Sequence, residues 1–150
     1  MTVNDRDREI LDLLIEDSRM SFAEIGRRVG LSRAHVRDRI SYLINEGVIE
    51  KFTAVVNPAK MGRMVSAFID ARLRPDVIEA HAQRLSAMPE VVSLYLMNDM
   101  QSLHIHVLTD NEAELDAFVS REFFGIEGVI SVDCKQLLRR IKHRRGGPRL

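Results

Sequence analysis

Cysteine is almost missing from this chain: of 150 residues only Cys134 is one. A single thiol cannot close a disulfide within the chain, which excludes a disulfide-stapled scaffold and fits a reducing cytoplasm. Cys134 lies in an apolar-alternating run and is expected to be a buried packing thiol. No segment approaches the ~20 consecutive apolar residues of a membrane helix, so no membrane partner is expected. The first residues are polar and acidic, and no secretory signal is expected there. Glycine-rich phosphate loops, nucleophile–base pairs and recognisable metal motifs are absent too, which leaves little support for an enzyme or a cofactor. Net charge is also lacking, since 22 basic side chains cancel 22 acidic ones.

That zero is an average over unlike parts. From Met61 to Cys134 five basic side chains stand against twelve acidic ones, giving −7, whereas from Lys135 onward seven basic residues meet no acid, giving +7. Between residues 27 and 39, Arg27, Arg28, Arg33, Arg37 and Arg39 are opposed only by Asp38. Phosphate attraction is local and screened over about 8 Å, so binding to double-stranded DNA survives the neutral total.

The stretch from Ser21 to Ile40 carries the most information. Ser21 and Glu24 have the spacing of a capping box, in which both side chains satisfy amides at a helix start. Ile25 and Val29 share one face, and Gly30 supplies a turn. Ser32 caps a second helix whose inward face is Val36, Ile40 and Leu43. Gly26 keeps the first helix thin where the second must cross it. Together these form a helix-turn-helix signal. The outward face of the second helix then holds Ala34, Arg37, Asp38 and Ser41, flanked by Arg33 and His35. Arginine can donate two hydrogen bonds to guanine and Ala34 can lie against a thymine methyl, while Ser32, Arg27 and Arg28 suit phosphates.

Ahead of this motif, Ile10, Leu13 and Leu14 mark a helix with Asn4 as its cap, packed behind the pair. Gly47 ends the recognition helix, and Val48 to Val56 reads as an extended segment that Asn57-Pro58 breaks. The second half then reads as a strand from Val65 to Leu73, a helix from Pro75-Asp76 to about Met88 and a strand from Val91 to Met97. A strand over Ser102 to Thr109, a helix from Glu112 to Phe123 capped by Asn111, and a strand from Val129 to about Leu138 complete the order. That order, β-α-β-β-α-β, is the ferredoxin-like arrangement, and the fold class is α+β. Its helices cover one face of the sheet; the other also holds large residues and is expected to pair with a second copy. The expected domains are residues 1–56, a hinge at 57–62, a ferredoxin-like domain at 63–142 and a basic tail at 143–150. His104 and His106 alternate onto one strand face with no further ligand nearby, so a polar face is expected rather than a metal site. His81 and His143 are expected on the surface.

This arrangement resembles the Lrp/AsnC family of prokaryotic transcription regulators. The residues that carry the resemblance are Asp7-Arg8-Glu9-Ile10-Leu11, Arg19-Met20-Ser21, Ile25 to Ser32, Val36-Arg37-Asp38-Arg39-Ile40, Glu46-Gly47-Val48-Ile49 and Asn57-Pro58. The resemblance implies a winged helix-turn-helix domain joined by a short strand hinge to an oligomerisation and small-molecule module. It also implies a homodimer, often built up to an octamer, that binds DNA half-sites and takes an amino acid as effector. In that family the turn between the second and third strands carries a glycine-aspartate pattern; here it reads Met97-Asn98-Asp99-Met100-Gln101. Asp99 can accept an ammonium and Asn98 or Gln101 can serve a carboxylate, with His104 and His106 nearby. Two alternatives share the architecture: a haem-precursor (siroheme) decarboxylase using His104 and His106, and an effector-independent protein that shapes DNA.

Overall fold

The computed structural model describes residues 3–57, 60, 62, 64–139 and 141. The basic tail at 143–150, with His143, lies outside the described residues, as do positions 58, 59 and 61 of the expected hinge. The chain divides into two compact units, with the break between Val56 and Asn57.

Three helices make the first unit: α1 (Asp5–Glu16), α2 (Phe22–Val29) and α3 (Arg33–Asn45). α1 starts with a reciprocal cap, in which Asn4 Oδ1 accepts the Asp7 amide at 3.0 Å and Asp7 Oδ2 accepts the Asn4 amide at 2.8 Å. α2 uses half of that device. Ser21 Oγ accepts the Glu24 amide at 3.2 Å, but the Glu24 carboxylate turns to Arg27 and Arg28 instead of reaching back. Two guanidiniums on the same helix outcompete one neutral amide for it. Gly30 closes α2 at φ 71°, a left-handed position. Gly26 is needed for a different neighbour than expected: a Cβ there would lie 2.4 Å from the Leu31 carbonyl oxygen, in the turn before α3. Ile10, Ile25, Val36 and Leu43 are fully buried, with Leu14, Val29 and Ile40 close behind.

Two expectations fail in this unit. Arg39, counted with the bases that attract phosphate, is buried and ion-paired with the fully buried Asp7 of α1. The strand hinge and the wing that the resemblance implies after α3 do not form among the described residues: no strand lies between Val48 and Val56. Extended backbone becomes a strand only where another strand receives its amides in a ladder. Phe52, Val55 and Val56 stay exposed.

The second unit holds β1 (Val65–Leu73), α4 (Ile78–Ser86), β2 (Val91–Leu96), β3 (Ser102–Thr109), α5 (Glu112–Phe123) and β4 (Val129–Gln136). The sheet order is β2-β3-β1-β4, and its three pairings are antiparallel. Alternation sends Ala67, Ile69, Ala71 and Leu73 of β1 and Leu103, Ile105 and Val107 of β3 into one core. Ile78 and Leu85 of α4 and Leu115, Phe118, Val119 and Phe123 of α5 fill it. α4 begins at Ile78 rather than at Pro75-Asp76: residues 75–77 form a turn in which the Val77 and Ile78 amides both bond the Arg74 carbonyl at 3.2 Å, and no side chain caps the helix. β4 ends at Gln136, short of Leu138, although the Leu137 amide still bonds the Ser66 carbonyl at 2.7 Å.

His81 and Cys134 exchange their expected places. His81 is buried, its ring 5.6 Å from that of Phe123, because it falls on the inward stripe of α4 with Ile78 and Leu85. Cys134 is exposed: β4 is an edge strand, and alternation there does not bring burial. Glu122 is also buried, its carboxylate taken up by Arg84 and by Arg121 Nε at 2.6 Å.

Candidate functional site

The first candidate surface is α3. Ser32 Oγ accepts the His35 amide at 3.2 Å, which fixes the start of the helix. With Val36, Ile40 and Leu43 buried, the opposite side carries Arg33, Ala34, His35, Arg37, Asp38 and Ser41, all exposed. Asp38 Oδ1 accepts from Arg37 Nε at 3.0 Å and from Nη2 at 2.9 Å, leaving Nη1 outside that contact. Arg27 and Arg28 stand exposed at the end of α2, both paired with Glu24. Their hydrogen bonds, Arg27 first, hold the Glu24 carboxyl below its ordinary value. Chemically this is a row of hydrogen-bond donors, one small apolar side chain and an acid, the kinds of group that base edges can meet.

The second candidate surface is the sheet face that the helices leave open. Three cross-strand rows run over it. Ser102, Arg72 and Ser131 form one; His104, Asp70 and Asp133 the next; His106, Phe68 and Lys135 the third. His104 Nδ1 lies 2.7 Å from Asp70 Oδ1, Asp133 pairs with Lys135, and His106 Nε2 lies 2.7 Å from Ser66 Oγ. Phe68 stacks on both imidazoles, at 4.5 Å from His106 and 5.7 Å from His104. The first two rows line a depression of about 280 Å³, with Met97 at its edge.

The structure does not bring the five effector candidates together. His104 lines the depression; Asn98, Asp99, Gln101 and His106 do not. Asp99 serves its own turn, accepting the Gln101 amide at 3.0 Å, the Ser102 amide at 2.9 Å and the Ser102 hydroxyl at 2.5 Å. Those bonds, the Ser102 hydroxyl first, depress its pKa. Gln101 Oε1 accepts from Arg72 at 3.2 Å. Asp70, Arg72, Ser131 and Asp133 were not foreseen; the same alternation that placed His104 and His106 also assigns them to this face. Among the described residues no group of three or more His, Cys, Asp or Glu side chains can hold a metal ion, and no helix is long and apolar enough to cross a membrane.

A capped, arginine-bearing helix pair and a ferredoxin-like unit with a polar depression define a two-part regulator of the DNA-binding kind. Comparison with known proteins makes this specific. Residues 4–44 match the AsnC-type helix-turn-helix domain and residues 66–146 the Lrp/AsnC ligand binding domain. An HTH-type transcriptional regulator of Pyrococcus horikoshii is 36% identical over 131 residues, which cover 87% of this chain and 83% of the relative. The HTH-type transcriptional regulator LrpA of Pyrococcus abyssi is 31% identical over 140 residues, covering 93% of this chain and 99% of LrpA. A solved AsnC family transcriptional regulator from Agrobacterium tumefaciens superposes with a TM-score of 0.83 at 29% identity, over 97% of each chain. A transcriptional regulator from Neisseria meningitidis, solved in complex with L-methionine, gives 0.85 at 25% identity, over 98% of this chain and 97% of its own. The chain belongs to the Lrp/AsnC family of transcriptional regulators. These matches support the regulator reading and not the decarboxylase alternative.

Proposed function

We propose that this regulator reads double-stranded DNA half-sites with the outer face of α3, as a cytoplasmic homodimer that assembles further, and acts by binding rather than catalysis. The observation that carries the reading is the division of α3: Val36, Ile40 and Leu43 buried on one side, Arg33, Ala34, Arg37 and Ser41 exposed on the other. Arg33, Ala34, His35, Arg37, Asp38 and Ser41 meet base edges, while Ser32, Arg27 and Arg28 meet phosphates. A gel-shift titration tests this. Arg37→Ala should cost roughly 1–3 kcal/mol at the true operator if the side chain reads a base, and unchanged operator affinity rejects that role.

The open sheet face supports the dimer, because on a lone sheet Tyr95 is exposed and Phe68 is only half-buried. A concentration-independent monomer in sedimentation would count against it. For the effector we propose a free amino acid in the depression beside the β2–β3 turn. Asp70 and Asp133 suit its ammonium and Arg72, between two serines, suits its carboxylate. The methionine held by the Neisseria relative supports that ligand class. Asp99 and Gln101 act by shaping the turn, with Asn98 beside them and His106 behind. Titration calorimetry with a panel of amino acids should find one that binds the wild type and fails with Asp133→Asn.

A further inference from the structure

Asp7 belongs to α1, outside the helix-turn-helix, yet its side chain is fully buried. Arg39 of α3 donates to it twice, from Nε to Oδ1 at 2.6 Å and from Nη2 to Oδ2. The carboxylate is fixed from its own side first, by the reciprocal cap with Asn4. The Arg39 guanidinium is steadied in turn by the Tyr42 ring, 4.8 Å below it. Thus α1 presents an oriented acceptor, and α3 meets it with a two-pronged donor.

We infer that Asp7 is a positioning residue for DNA reading: through Arg39 it sets the rotation of α3 about its own axis. The inference rests on α3 being the base-reading helix. Apolar contacts such as Val36, Ile40 and Leu43 favour burial but have no direction, so they hold a helix in place while tolerating rotation. A bidentate carboxylate–guanidinium fork has direction in both partners. Side chains reach about 5–6 Å from the axis of an α-helix, so a rotation of roughly 25° displaces Arg33, Arg37 and Ser41 by about 2–3 Å, enough to break hydrogen bonds to base edges. Arg27 and Arg28, which meet phosphates, belong to α2 and are not carried along by a rotation of α3. Loss of the pair therefore separates two kinds of binding: base reading falls, and phosphate binding stays.

The test uses the full chain. Wild-type protein first selects its preferred sequence from a pool of randomised duplexes; failure to select any sequence refutes the base-reading helix, and the inference with it. Affinities for the selected duplex and for random-sequence DNA are then measured for Asp7→Leu combined with Arg39→Met, a volume-matched apolar pair that can preserve stability. Arg39→Lys serves as a second variant, since it keeps charge and stem but cannot form the fork. Helicity and thermal melting identify which variants fold. In a folded variant the selected duplex should bind about tenfold or more weaker, while random-sequence affinity is unchanged. A folded variant that keeps the wild-type affinity ratio, or one in which both affinities fall together, overturns the inference.

Discussion

The two units bury charge in opposite ways. In the first, Asp7 and Arg39 are both withdrawn from water and every oxygen of the carboxylate is matched. In the second, Glu122 is buried while its partners Arg84 and Arg121 keep about half of their side-chain surface in water. Beside them His81 buries its Nε2 without a well-formed hydrogen bond among the described residues, although Nδ1 lies 3.3 Å from Arg84. One unit therefore holds a closed electrostatic contact and the other an incomplete one. The closed contact fixes geometry; the incomplete one leaves a group whose protonation changes stability.

Breaking the closed contact should have the largest effect. Asp7→Ala leaves a buried guanidinium without its carboxylate and is expected to cost about 3–5 kcal/mol in urea unfolding of the first unit. A loss below about 1 kcal/mol would mean that Arg39 escapes to water and that the contact is not closed. Gly26→Ala comes next. Its Cβ would strike the Leu31 carbonyl, a backbone atom that cannot swing aside. Destabilisation of about 1–3 kcal/mol is expected, and a neutral melt would show that the turn is softer than its geometry indicates.

Sequence reading succeeded where the signal is local and failed where it is not. Asn4, Ser21, Ser32 and Asn111 all cap the helices they were expected to cap, since a cap needs only three following residues. β3 came out at its expected bounds because strict alternation marks both faces. Asp7 and Arg39 are 32 residues apart, so their pairing was not legible, although Arg39, three residues after Val36 and four before Leu43, falls on the inward stripe of α3. His81 was legible in part: it lies three residues from Ile78 and four from Leu85, a spacing that points inward. The depression was not legible, because three strands must come into register before Asp70, Arg72 and Asp133 become neighbours.

The incomplete contact predicts a pH dependence confined to the second unit. Burial, followed by the Arg84 charge, lowers the pKa of His81 from its ordinary 6.5. The unfolded chain then binds this proton more readily than the folded one, so stability falls as pH drops through about 6.5. The loss levels off only below the folded-state pKa. The carboxylates with lowered pKa, Asp7 and Glu122 among them, lose their contribution only further into acid, below ordinary values of 3.8 and 4.5. His81→Phe should therefore flatten the melting-temperature profile between about pH 6.5 and 5 and change little at pH 8. A profile as steep as the wild type's would place the titrating group elsewhere.

The smallest effect on stability, and the most informative about DNA, is expected from Glu24→Gln. Glu24 neutralises Arg27 and Arg28 in the unbound protein. When those arginines move to phosphates, the freed carboxylate takes up a cation, which offsets part of the counterion release that drives binding. Removing its charge should leave the melt nearly unchanged, tighten binding to DNA of any sequence, and steepen the salt dependence by about one counterion. The comparison with Asp7 is then sharp: one carboxylate acts on which sequence is bound, the other on how strongly any DNA is held. An unchanged salt slope would mean that Arg27 and Arg28 stay with water in the complex and that the phosphate contacts are made by other side chains.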